Sequence, residues 1–78
     1  MNAVISIIIV NYNAGHLLHS CIDSLLACPL ELEIIVVDNA STDGSIDCLL
    51  DLPQVKIVCN PINTGFSAAC NQGLKFAN

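Results

Sequence analysis

The sequence predicts an α/β domain built on a parallel sheet, and three observations predict it. Residues 4–10 (VISIIIV) and 33–37 (EIIVV) are nearly continuous apolar runs rich in β-branched side chains. Such runs form strands buried on both faces, the habit of parallel sheets covered by helices. Between the runs, apolar residues recur at helical spacing. Each run also stops abruptly at small polar residues, first Asn11-Tyr12-Asn13 and then Asp38-Asn39-Ala40-Ser41. The resulting order, β-α-β-α-β-α with right-handed crossovers, is a three-layer arrangement of helices over a three-stranded parallel sheet.

The first strand, residues 4–10, leads through Asn11-Tyr12-Asn13-Ala14-Gly15 into a helix over residues 15–27. Leu17, Leu18, Cys21, Ile22, Leu25 and Leu26 form its apolar face, and His16, His19, Ser20, Asp23 and Ser24 its wet face. Asn13 fits the N-cap and Pro29 marks the stop. The two histidines read as solvated residues, because a metal site needs further ligands beside them. After the second strand, 33–37, Ser41-Thr42-Asp43-Gly44 reads as the cap of a short helix reaching residue 51. Ile46, Leu49 and Leu50 face inward there, and Pro53 ends it. Residues 55–59 form a third strand, nearer an edge because Lys56 must reach water. Beyond Asn60-Pro61-Ile62-Asn63-Thr64-Gly65, a last helix covers residues 66–77. Phe66, Ala69, Cys70, Gly73, Leu74 and Ala77 repeat along its inner face, and small Ala69 and Gly73 let it lie close to the sheet.

With 78 residues the chain is one small domain, 1–78. It is 54% hydrophobic and 12% charged, too apolar for a disordered chain. It is also more apolar than a small free-standing domain needs, so some faces are expected to be covered by something else. The net charge is −5, with Lys56 and Lys75 the only strong cations. Nucleic-acid binding needs Lys and Arg to neutralise phosphates, and this chain lacks them. An anionic small ligand would have to meet backbone N–H groups, a helix N-terminus or a metal ion. The five cysteines (Cys21, Cys28, Cys48, Cys59 and Cys70) form no C-x-x-C pair. They are expected to be reduced, buried thiols of a cytoplasmic protein, not a zinc or disulfide framework. No Lys or Arg precedes the first apolar run, so a signal peptide is not expected. No run approaches the ~20 residues that span a bilayer. The G-x-G-x-x-G fingerprint and the G-K-[ST] phosphate loop are both absent.

All three strand-to-helix loops of this topology emerge at one edge of the sheet, where open α/β sheets bind ligands. They supply Asn11, Tyr12 and Asn13; Asp38, Asn39, Ser41 and Asp43; and Asn60, Asn63 and Thr64. Any one loop is explained by capping its helix, as Asn, Ser and Asp often do; three such loops together point to a ligand. A pyrimidine base offers a flat face and an imide edge. Tyr12 could stack on the face, Asp38 could accept from the imide N–H, and Asn39 could donate to a carbonyl or accept. The first turn of the last helix, around Gly65 and Phe66, has free N–H groups suited to an anion.

Residues 4–13, 34–44 and 60–73 carry, in this order, a chain-long likeness: VISIIIVNYN, IIVVDNASTDG and NPINTGFSAACNQG resemble the start of a family 2 glycosyltransferase of the GT-A fold. The resemblance implies the Rossmann-like N-terminal half of that fold. It implies transfer, with inversion, of a sugar from a UDP- or dTDP-sugar to a hydroxyl of a saccharide or lipid-linked acceptor, in cell-surface polysaccharide synthesis. By match, Tyr12 stacks on uracil or thymine, Asp38 and Asn39 read the base edge, and Asn63, Gly65 and Asn71 lie near the ribose and diphosphate. Asn11, Asn13 and Ser41 join this nucleotide-sugar-binding set by their place in the loops. The Val-Asp-Asn form, followed by Asn-Thr-Gly-Phe, is most similar to the rhamnosyltransferase-like branch. The family more often has Asp-Asp at the second motif, so Asn39 leaves open which of the two residues meets the imide N–H.

The family continues into a fourth strand ending in Asp-x-Asp, which holds Mg²⁺ or Mn²⁺ on the diphosphate, and later into an Asp or Glu acting as general base. Neither lies in this chain, so no catalytic or metal-binding residue is assigned, and the metal is expected only in the full-length enzyme. Asp43 and Asp47 read as carboxylates at a helix N-terminus. The expectation is therefore a partial GT-A domain, the nucleotide-binding half, inactive alone, cytoplasmic and peripheral to the membrane. The missing strand would pair beside the first, whose open edge invites association with another chain. The alternative is a non-catalytic nucleotide-binding or structural α/β remnant.

Overall fold

Ile34 to Asn39 are all buried, and they form the centre of the sheet. The computed structural model describes residues 5–77, with Cys48 described by its backbone alone. Val4, expected at the head of the first strand, lies outside the described residues. The strands are β1 (Ile5–Asn11), β2 (Leu32–Asn39) and β3 (Val55–Asn60), in the spatial order β1-β2-β3 and parallel throughout. The helices are α1 (His16–Leu26) and α2 (Phe66–Leu74), and a single 3₁₀ turn, Asp47–Leu49, stands between β2 and β3.

Side chains alternate across a strand, so β2 divides its apolar residues between two cores. Ile34 and Val36 meet Leu18 and Ile22 of α1, together with Leu49 and Val55. Ile35 and Val37 meet Ala69 of α2 on the opposite face, with Ile8, Val10, Val58 and Ala77 around them. The layers are thus α1 and the 3₁₀ turn, the sheet, and α2. Gly73 sets the distance of the third layer. A Cβ there would stand 2.6 Å from Ile8 Cγ2 and 3.3 Å from Val37 Cγ2, closer than packed carbons allow.

Several expectations change in detail. β1 is half-buried with Ile5 exposed, not covered on both faces, because it is the end strand and only β2 has a neighbour on each side. The helix expected over 41–51 contracts to the one 3₁₀ turn, in which Leu49 is buried and Leu50 is exposed. Leu17, Phe66 and Leu74 are also exposed, because each helix buries a narrower stripe than its sequence pattern suggests: Leu18 and Ile22 on α1, Ala69 and Gly73 on α2. Cys21 and Cys59 are exposed and Cys28 and Cys70 half-buried, so these four thiols are not core residues; the side chain of Cys48 lies outside the described residues. Cys21 flanks the buried stripe of α1, and Cys59 sits one residue from the end of edge strand β3.

At the amino end of the sheet, Lys56 reaches solvent as expected and pairs with Glu33 at 2.9 Å. It also donates to the Phe76 carbonyl at 3.4 Å, while Ser6 Oγ donates to Glu33 at 2.8 Å. No helix among the described residues is long and apolar enough to cross a membrane.

Candidate functional site

The carboxyl ends of the strands are tied to one another by side chains, and the ties fall into two groups because β2 alternates to its last residue. Asp38 follows Val36 on the α1 face, and Asn39 follows Val37 on the α2 face. Neighbours in sequence, they serve opposite sides of the sheet.

On the α1 face, Asn11 of β1 stands in register with Asp38 of β2. Asn11 Nδ2 donates to Asp38 Oδ1 at 2.7 Å, to Ser45 Oγ at 2.8 Å and to Ser41 Oγ at 3.1 Å. The Ser41 hydroxyl donates to Asp38 Oδ1 at 2.7 Å, and its backbone N–H donates to Asp38 Oδ2 at 3.1 Å. Asn11, Asp38 and Ser45 are all buried. Hydrogen bonds to a charged acceptor are worth about 1.5–3 kcal/mol each, which offsets the cost of taking the carboxylate out of water. Asn11 Oδ1 is buried and has no hydrogen-bond partner among the described residues.

The loop after β1 is fastened to the loop after β2 at three further points. Asn13 N–H donates to Ser41 Oγ at 2.9 Å, Thr42 N–H to Asn13 Oδ1 at 2.8 Å, and Gly15 N–H to Asp43 Oδ2 at 3.0 Å. Asn13 is therefore not the N-cap of α1. Gly15 holds that place without a side-chain cap, and the Asn13 side chain is spent across the loops. Asp43 is held below the usual carboxylate range by its side-chain hydrogen bond with Ser45, reinforced by the backbone N–H groups of Ser45 and Gly15. Two non-glycine residues here have positive φ, Asn13 at 50° and Ala40 at 63°.

On the α2 face, Asn39 is in register with Asn60 of β3. Asn39 Oδ1 accepts from Asn60 Nδ2 at 2.9 Å and from Thr64 Oγ1 at 3.2 Å, and Asn39 Nδ2 donates to the Gly65 carbonyl at 3.2 Å. Asn60 and Gln72 of α2 exchange a reciprocal pair of amide bonds, both 2.8 Å. Asn63 Oδ1 accepts the Gly65 N–H at 2.8 Å, ahead of α2. Gly65, at φ 85°, has open space where a Cβ would project.

The structure thus brings Asn11, Asn13, Asp38 and Ser41 into one hydrogen-bonded group, and Asn39, Asn63 and Gly65 into another. Tyr12 and Asn71 are exposed and lie outside both, Tyr12 on the first loop and Asn71 on the second turn of α2. Sequence reasoning missed Ser45 and Gln72. Gln72 had a signal: with Ala69 and Gly73 it shares the spacing of a single helix face, so it is a polar residue turned toward the sheet. Ser45 had none beyond following the Asp43-Gly44 turn. Among the described residues no three His, Cys, Asp or Glu side chains gather to hold a metal ion.

Residues 6–78 match the family model described as glycosyl transferase family 2. The chain is 35% identical over 78 residues to the uncharacterized glycosyltransferase YibD of Escherichia coli K12, covering 94% of the chain and 22% of that protein. It is 34% identical over 82 residues to the uncharacterized glycosyltransferase EpsJ of Bacillus subtilis, covering 99% and 24%. A third relative is the UDP-Glc:alpha-D-GlcNAc-diphosphoundecaprenol beta-1,3-glucosyltransferase WfaP of Escherichia coli, 32% identical over 77 residues, covering 95% and 31%. The chain spans about a quarter of the length of the curated relatives it matches.

Proposed function

Because the chain belongs to glycosyltransferase family 2, we propose that its three joined loops are the nucleotide half of a donor site, taking a UDP- or dTDP-sugar. The observation that carries this reading is the joining itself. The Asn11–Asp38–Ser41 group and the Asn39–Asn60–Thr64 group hold the three loops as one rigid edge at the carboxyl ends of the strands. Ligands of open α/β sheets bind at that edge. Tyr12, 55% exposed beside it, presents a ring for a base to stack on. The UDP-glucose in the name of WfaP supports a uridine donor, and its diphosphoundecaprenol acceptor supports a lipid-linked acceptor met at the membrane surface. Synthesis of a cell-surface polysaccharide, in the cytoplasm and peripheral to the membrane, is the setting that reading implies. The rhamnosyltransferase-like branch remains part of the proposal, on the strength of the Val37-Asp38-Asn39 and Asn63-Thr64-Gly65-Phe66 motifs.

In this reading the chain binds the nucleotide and transfers no sugar by itself. Inverting transfer needs a base on the acceptor hydroxyl and a charge to stabilise the departing diphosphate. Two of the carboxylates here have other duties. Asp38 holds two strand ends together, and Asp43 holds the start of α1. The general base, and any residues for Mg²⁺ or Mn²⁺, would be others than these two.

The test is titration of the chain with UDP, dTDP and GDP while backbone amide shifts are followed. UDP and dTDP should move the resonances of residues 11–15, 38–45 and 60–66, and GDP should not. Flat titrations with all three overturn the reading. Tyr12→Ala should weaken UDP binding by about 1–3 kcal/mol, the worth of one base–aromatic stack; unchanged affinity removes Tyr12 from the site.

A second reading is favoured by the sheet order. β1 stands at the end of the sheet with its outer side unpaired among the described residues, and Ile5 exposed on it. A structural α/β module would associate through that edge. It predicts oligomers in light scattering that do not respond to UDP.

A further inference from the structure

Family likeness leaves open which of Asp38 and Asn39 meets the base; the hydrogen bonds of Asp38 bear on it. Both of its carboxylate oxygens are engaged inside the protein. Oδ1 accepts from Asn11 Nδ2 and from the Ser41 hydroxyl, each at 2.7 Å, and Oδ2 accepts the Ser41 backbone N–H at 3.1 Å. Only 4% of Asp38 and 1% of Asn11 is exposed. Were the carboxylate to turn toward a ligand, it would give up the 2.7 Å bonds from Asn11 Nδ2 and the Ser41 hydroxyl and break the closure of the 38–41 turn. Hydrogen bonds to a charged acceptor are the costlier ones to lose. The tie is also long-range: it joins positions 27 residues apart and fixes the last register pair of β1 and β2, from which the chain departs into Tyr12.

We propose that Asp38 is a positioning residue of the donor site, spent together with Asn11 on locking the ends of β1 and β2, and that it does not touch the base. This rests on the donor reading above. What the site requires of the pair is one amide facing one carboxylate, whichever strand carries which.

That symmetry supplies the experiment. Asp38→Asn alone sets amide against amide. It should lower Tm by roughly 5–10 °C and weaken UDP binding roughly tenfold, as expected for one lost charge-assisted bond. Combining it with Asn11→Asp restores an amide–carboxylate bond with its direction reversed, and the Ser41 hydroxyl, no longer held by position 38, can turn to donate to the new carboxylate. The double variant should recover most of both losses. Recovery of Tm without recovery of UDP affinity overturns the proposal, because a carboxylate needed by the base cannot be moved to the next strand. A second measurement needs no variant and decides the matter if the double variant does not fold. The ¹³C resonance of the Asp38 carboxyl should shift under saturating UDP no more than that of the exposed Asp51. A large selective shift overturns the positioning role. A parent chain that does not respond to UDP at all overturns the donor reading instead, so the two failures are distinguishable.

Discussion

Ala40 sits at φ 63° between Asn39 and Ser41, a backbone region that costs a residue with a Cβ about 1–2 kcal/mol. The strain is held in place by the hydrogen bonds on either side, from Asn39 to Gly65 and from Ser41 to Asp38. Replacing Ala40 with Gly relieves it but enlarges the freedom of the unfolded chain, so the net gain should be about 0.5–1 kcal/mol. A rise of a few degrees in Tm checks this. The titration of Asp43 bears on stability. Its folded pKa lies below the ordinary carboxylate value, so its contribution to stability is complete above that value and fades as pH falls through the lowered one. Asp43→Asn removes the contribution. Melts between about pH 7 and pH 3 should then show a shallower acid decline than in the parent chain.

At the scale of elements, α2 packs by being small where it touches. Gly73→Ala gains about 1 kcal/mol in helix propensity, but its methyl would meet Ile8 Cγ2 at 2.6 Å. That carbon is fixed to a branched Cβ and cannot swing aside. Overpacking of this kind costs about 1–3 kcal/mol, so the variant should be destabilised by about 1 kcal/mol net, visible in a denaturant midpoint. This close fit was legible in the sequence, because Ala69 and Gly73 are small residues on the inner side of a periodic pattern. So was β2, whose run of Ile and Val has no reading but a covered strand. The fates of Leu17, Leu50, Phe66 and Leu74 were not legible, because periodicity reports which side of a helix is apolar and not how much of that side a neighbour reaches. Asn13 was misread for a related reason. An Asn ahead of a helix looks like its cap, and only the tertiary approach of the 38–45 loop offers it Thr42 instead. The convergence of three loops followed from topology; the division of Asp38 from Asn39 needed the register.

The whole molecule should respond to its ligand by mass action. UDP at a hundredfold its Kd adds about 2.7 kcal/mol, which in a domain of this size raises Tm by roughly 10–20 °C. GDP should leave the melt unmoved, and a melt indifferent to both nucleotides counts against the donor site. The Lys56–Glu33 pair lies at the other end of the strands; with the Lys56 end about half in solvent, screening holds it to about 1 kcal/mol. Its removal should add independently to any variant of the loops.

The two-sided ending of β2 also governs folding. Sliding β2 by a single residue against its neighbours would turn Asp38 to the α2 face and Asn39 to the α1 face, breaking their ties to Asn11 and Asn60, while Ile34 and Val36 exchanged cores with Ile35 and Val37. Misaligned sheets would therefore be penalised at their polar tip as well as in their interior. The edge that we assign to the nucleotide doubles as a proofreader of strand alignment.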